Sequence, residues 1–184
     1  ECYEPSWGRH KDRTRPVPGD HDYEYEDGSG YHEYFNDIPP YYAYDLGAWR
    51  IIALNSEIAH GAGSPQEQWL RQDLANSRVR CTLAYWHHPL FSSGHYSPGI
   101  KEVKPLYRAL YAYNADVVLT GHDHIYERFA PIDDMTQFLV GSGGKELYEI
   151  GLFKDIALVI RLPIILSDDR ELKGLNGSDS EQNQ

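Results

Sequence analysis

Residues 115–128 read Ala-Asp-Val-Val-Leu-Thr-Gly-His-Asp-His-Ile-Tyr-Glu-Arg. The apolar run from Ala115 to Leu119 reads as a buried strand, and the glycine and histidines that follow read as the loop it enters. Side chains two apart on an extended segment point the same way. His122 and His124 are therefore expected to face one ligand together, with Asp123 turned elsewhere. Gly121 lets the backbone come close to whatever is bound there. Two imidazoles at the carboxyl end of a strand make half of a metal site.

A His-x-His pair is commonplace in loops, and two further segments change its weight. Pro18-Gly19-Asp20-His21-Asp22 sets two carboxylates and a histidine behind a glycine. Leu83-Ala84-Tyr85-Trp86-His87-His88-Pro89 is a strand that stops at two histidines and a proline. Five of the nine histidines lie in these three segments. All three fall where an apolar run or a glycine turn gives way to a loop rich in metal-ligating residue types.

Taken together, the segments resemble the calcineurin-like metallophosphoesterases, and within them the purple acid phosphatase branch. The resemblance rests on Gly121-His122-Asp123-His124-Ile125-Tyr126-Glu127-Arg128, on Tyr85-Trp86-His87-His88-Pro89 and on Gly19-Asp20-His21-Asp22. It covers residues 2–145. In the last motif Asp20 stands where the family carries asparagine. That exchange adds negative charge, which favours a cation and opposes a phosphate dianion. The resemblance implies an α/β fold, the metallophosphoesterase-like αββα sandwich. The family's two earlier aspartate-bearing motifs have no counterpart before Gly19, so the N-terminal half of that sandwich is expected to be missing from this sequence. Residues 1–166 are expected to form a partial domain, and the polar residues 167–184 a disordered tail.

Carried over residue by residue, the resemblance implies that Asp20, His87 and His122 bind one metal. His124 binds the other, alongside aspartates that are missing here. His21 acts as the catalytic residue, bonding substrate or protonating the leaving group. His95 and His88 stand near the substrate, although His88 also reads as a supporting or capped loop residue. The cofactors implied are divalent or trivalent metal ions, Fe, Zn or Mn. They are dinuclear in the family, with at most one well-held site expected here. Imidazole and carboxylate donors suit those ions. The function implied is metal-dependent hydrolysis of phosphate esters, as an acid-phosphatase-like phosphomonoesterase impaired by truncation. The alternative is a non-catalytic binding or structural domain on a degenerate scaffold of the same kind.

Composition narrows the partners. The net charge of −11 over 184 residues argues against nucleic acid. No segment reaches the ~20 apolar residues of a membrane span, and the partner that the resemblance implies is a small phosphate ester. Cys2 and Cys81 allow one disulfide or two free thiols. An exported relative of the phosphatases, secreted or periplasmic, favours the bridge.

Elsewhere the first forty residues read as loop, with a basic stretch from Trp7 to Pro16 and an acidic surface loop from Asp20 to Gly30. A hairpin is expected around Gly47-Ala48, from Tyr41–Leu46 and Trp49–Asn55. Ser64-Pro65-Gln66-Glu67 carries a helix start with a capping box, and Trp69, Leu70 and Leu74 form its buried stripe. A second helix is expected over Val103–Tyr113, burying Leu106, Leu110 and Tyr113. Strands are expected over Thr82–Trp86, over Ala115–Thr120, and at Phe138, breaking at Gly141. The run Ile156–Leu166 is nearly continuous apolar, and Pro163 restricts it to an edge strand or a covering segment. Strand and helix alternate, which places sites at strand carboxyl ends.

Overall fold

A computed structural model describes residues 3–24, 27–96 and 98–148. The run Ile156–Leu166, the tail 167–184 with its boundary, and Cys2 with its possible bridge to Cys81 all lie outside the described residues. Six strands form one sheet: β1 (Tyr42–Leu46), β2 (Trp49–Ala53), β3 (Cys81–Tyr85), β4 (Val117–Thr120), β5 (Tyr126–Arg128) and β6 (Thr136–Val140). Their order is β1-β2-β3-β4-β6-β5. The pairs β2–β3, β3–β4 and β4–β6 are parallel, while β1 and β5 are antiparallel edges.

The expected hairpin forms, with Gly47 at φ +61° supplying the left-handed turn residue. The helices are α1 (Asp20–Tyr23), α2 (Ser29–Tyr34), α3 (Pro65–Asn76) and α4 (Lys104–Ala112). α3 connects β2 to β3 and α4 connects β3 to β4, so consecutive parallel strands are joined by helical crossovers. The Ser64 side chain accepts the Glu67 N–H at 3.2 Å, as a cap should. The box does not close, because the Glu67 carboxylate takes the Gly63 N–H at 3.1 Å and the Arg71 guanidinium instead.

The strands alternate in burial because α3 and α4 cover one face. Ile52, Ala84, Val118 and Gln137 are in register across four strands and buried on that side. Leu70 of α3 and Leu106 and Leu110 of α4 are fully buried. Each such side chain contributes roughly 1.5–3 kcal/mol of transfer free energy. Gln137 is satisfied by the Tyr107 hydroxyl of α4 and by the Phe91 carbonyl. Arg50 reaches Asp73 of α3 across the same face. In the opposite row Leu83, Val117, Leu119 and Phe138 are half-buried. The described residues thus contribute one layer of strands to the expected sandwich.

Three expectations need correction. The first forty residues are not simply loop: a 3₁₀ helix spans Trp7–Arg13, and α1 and α2 follow. Their short turns are held by local contacts without apolar periodicity, so they left no pattern to read. Tyr113 is 39% exposed, and Tyr107 takes its expected place in the core. Trp69 is half-buried against Tyr41 rather than part of the central stripe. β5 had no expectation, since three residues cannot establish a period.

Candidate metal centre

The parallel strands β2, β3 and β4 end at one edge of the sheet, and each releases a loop there. Glu57 follows β2, His87 and His88 follow β3, and His122 follows β4. The loops are tied together by backbone: the Gly121 N–H donates to the His87 carbonyl at 2.9 Å, and Trp86 N–H to Leu119 at 3.2 Å. Asp20 joins them as the first residue of α1. Asp22 steadies that turn by accepting the Gly19 N–H at 2.9 Å. A Cβ on Gly19 would lie 3.0 Å from the His87 ring, so the absence of a side chain there seats the imidazole.

Asp20, His87, His88 and His122 bring one potential ligand atom each within 4.8 Å of one another. Within this set His87 Nε2 lies 2.8 Å from Asp20 Oδ1 and 3.0 Å from His122 Nδ1. His122 Nδ1 lies 3.6 Å from Asp20 Oδ1. Donors bound to one ion at about 2.0 Å in a tetrahedron are separated by about 3.3 Å. The triangle has the size of one face of such a tetrahedron, and the donor set fits a metal ion.

The protonation states agree with that fit. Burial, then the neighbouring His122 and His88, push the His87 imidazole down to about 4, so it is neutral at neutral pH. Burial lowers His88 and His122 as well. Burial would raise the Asp20 carboxyl, but His87 and His122 beside it outweigh burial and hold it below its usual range. Neutral imidazoles around a carboxylate are the ligating forms of both residue types. Glu57, which had no place in the sequence reading, stands 3.3 Å from His88 Nδ1 and orients it. Its position just beyond a strand's carboxyl end was the available signal.

His124, His21 and His95 lie outside the donor set. The Gly121–His124 turn is not extended, because His122 takes the left-handed conformation at φ +68°. His124 therefore does not share the donor set, contrary to the expectation that it faces one ligand with His122. Its Nδ1 is buried and has no hydrogen-bond partner among the described residues, and its ring stacks on Tyr148. Asp123 does point elsewhere, into full burial. A Cβ on Gly121 would meet the His87 ring at an ordinary 3.8 Å. His21 is solvent-facing, its side chain 87% exposed, and Nδ1 pairs with Glu24 at 2.7 Å. That hydrogen bond, then Asp20, raises its pKa above the usual value. His88, expected near the substrate, lies with the donor set. His95 is exposed and packs between Tyr96 and Tyr148.

Comparison with known proteins places this chain among relatives. The model of the calcineurin-like phosphoesterase family matches residues 2–126. Purple acid phosphatase 15 of Arabidopsis thaliana is 34% identical over 93 residues, which is 48% of this chain and 18% of that protein. Purple acid phosphatase 21 of the same plant is 35% identical over 97 residues, 50% of this chain and 22% of that protein. The chain thus spans about a fifth of the length of these relatives. The structure of purple acid phosphatase PPD1 from yellow lupin seeds superposes with a TM-score of 0.66 at 21% identity, covering 79% of this chain and 32% of that one. A mixed sheet with helical crossovers, a histidine–aspartate donor set at its carboxyl edge and a family match over most of the chain lead to one assignment: this chain belongs to the calcineurin-like phosphoesterase family, and its fold is that of the purple acid phosphatases.

Proposed function

We propose that this chain provides part of the metal-binding site of a phosphate monoester hydrolase. The observation that carries the reading is the triangle of Asp20, His87 and His122, with sides of 2.8, 3.0 and 3.6 Å. Asp20, His87 and His122 would hold the ion, with His88 as fourth donor or direct support. A metal bound there supplies charge neutralisation for the phosphoryl oxygens and an acidic water. Iron, zinc and manganese suit these donors. The unsatisfied nitrogen of His124 supports its assignment to a second metal whose other ligands are not among the described residues.

The protein's own groups handle orientation and protons. His21 lies next to Asp20 in sequence and is open to solvent. Glu24 keeps its imidazole protonated closer to neutrality, which suits donation to the departing ester oxygen as water adds to phosphorus. Glu57 holds the His88 ring by its Nδ1 side. The reading extends to a secreted or periplasmic setting, as for an exported acid phosphatase. Among the described residues no helix is long and apolar enough to cross a membrane.

The test is metal content coupled to hydrolysis of p-nitrophenyl phosphate. Asp20→Ala is expected to lower metal content. His21→Ala is expected to keep the metal and lower turnover by ~10²–10⁴-fold. Asp20→Asn is expected to keep or improve activity where the other metal's ligands are supplied. Equal and negligible effects of all three in an active preparation would remove Gly19-Asp20-His21-Asp22 from the mechanism.

A further inference from the structure

The basic stretch Trp7–Pro16 takes no part in the donor set, and the fold forms a cavity beside it. Arg9, Lys11, Asp12 and Arg15 line that cavity together with Phe35 and Ile38, which follow α2, and its volume is about 640 Å³. Small-molecule sites occupy roughly 300–1,000 Å³. Four of the 17 lysines and arginines fall within these ten residues, in a chain of net charge −11. In the cavity lining itself, three cations stand with one carboxylate, Asp12.

The cations are held without being neutralised. Among the described residues, no carboxylate forms an ion pair with Arg9, Lys11 or Arg15. Arg9 commits its Nε–H to His10 at 3.2 Å, and Arg15 donates from one terminal nitrogen to the Thr14 carbonyl at 3.1 Å. A guanidinium carries five N–H donors, so each keeps several for a ligand. The Lys11 ammonium stands 4.3 Å from the centroid of the Tyr34 ring, which places it and leaves its charge intact. The neighbouring Glu4 carboxylate is taken by the Tyr34 hydroxyl. The backbone of the cluster is anchored to the sheet. The Arg15 carbonyl accepts the Tyr85 hydroxyl of β3 at 2.6 Å, and the Pro16 carbonyl accepts the Tyr42 hydroxyl of β1 at 2.7 Å. The Thr14 hydroxyl donates to the His10 carbonyl at 2.8 Å and closes the 3₁₀ helix onto the same segment. A framework fixed in this way lowers the ordering cost of binding.

We propose that this cavity is an anion site separate from the donor set, and that it takes small multivalent phosphates of the diphosphate type. Guanidinium forks match phosphate oxygens in pairs, and Lys11 adds a point charge. A diphosphate carries more charge and spans further than orthophosphate, so it engages more of the three cations at once. The overall charge of −11 repels a long polyanion, which limits the ligand to one the cavity can enclose. The proposal does not depend on the phosphatase reading, because no residue of the donor set lines the cavity.

The test is calorimetric titration of the full chain, freed of metal ions, with pyrophosphate and orthophosphate as probes. Pyrophosphate is expected to bind about tenfold tighter than orthophosphate, and its affinity is expected to fall as salt rises. Arg9→Gln and Arg15→Gln are each expected to weaken pyrophosphate binding about tenfold. Both residues are exposed, so neither change disturbs the core. Arg13→Gln removes the same charge from a guanidinium that lies outside the lining and is held by His10 at 3.0 Å. It is expected to change the affinity by less than about twofold. His122→Ala is expected to leave pyrophosphate binding unchanged. Absence of pyrophosphate binding, equal binding of the two probes, or a loss in Arg13→Gln matching that in Arg15→Gln overturns the site. A loss in His122→Ala assigns the binding to the donor set and overturns it as well.

Discussion

His122 and His124 stand two positions apart, and the backbone between them sends one into a cluster of four ligand-type side chains and the other onto a tyrosine. The comparison shows what sequence spacing does and does not imply. An i, i+2 pair shares a direction only on extended chain. Here the left-handed φ of +68° at His122 breaks the extension. The break is useful. It lets Asp123 turn inward, where it holds the 92–96 loop by accepting the His95 and Tyr96 N–H groups, and it leaves the two imidazoles facing separate neighbourhoods, His122 against Tyr96 and His124 against Tyr148.

The largest expected effect separates the two histidines directly. His122→Ala removes a donor and should weaken zinc binding by more than the roughly 10–100-fold typical of an outer partner. His124→Ala should change it by less than about threefold in this chain. Chelator-competition titration checks both, and equal losses would return His124 to the same site. Next comes Gly141→Ala. A Cβ there would lie 1.8 Å from the Asp123 carbonyl oxygen, which is backbone and cannot swing away. Denaturant unfolding should show a loss of about 3 kcal/mol. An unchanged midpoint would mean that the turn between the histidines is not fixed by its neighbours.

A smaller effect is expected at Glu57, whose carboxylate faces His88 at 3.3 Å. Glu57→Gln should weaken zinc binding by about tenfold while leaving the unfolding midpoint of the metal-free chain nearly in place. A change in midpoint with no change in zinc binding would assign Glu57 to packing alone. The smallest is Ser92→Ala, which takes one donor from the buried Asp123 carboxylate. It should cost about 0.5–1 kcal/mol, because two backbone N–H groups still satisfy Asp123. Thermal unfolding measures it.

Much of the frame was legible in one dimension. The strands β1 to β4 and β6, both long helices and the Ser64 cap follow from apolar runs, turn glycines and capping chemistry, which act over a few residues. Asp20, His87 and His122 stood out because each is a ligand-type residue just past a strand or in a glycine turn, and the parallel sheet gathers such positions at one edge. The short N-terminal helices and the three-residue β5 carry no period long enough to read. The half-open box at Ser64 shows the same limit: Glu67 had a choice of partners, and Arg71 and Gly63 won.

The sequence by itself determined an α/β sheet, the residue types able to hold a metal and the family motif that unites them, because periodicity and motif spacing are properties of the chain. Only the tertiary structure decided which of those residues meet. It placed His88 with the donor set, backed it with Glu57, separated His124 from His122, and made Asp123 the anchor of the 92–96 loop. The physical reason is that convergence depends on turn dihedrals and on loops from different strands packing together. A single φ of +68° at His122 redirected what the spacing alone had aligned.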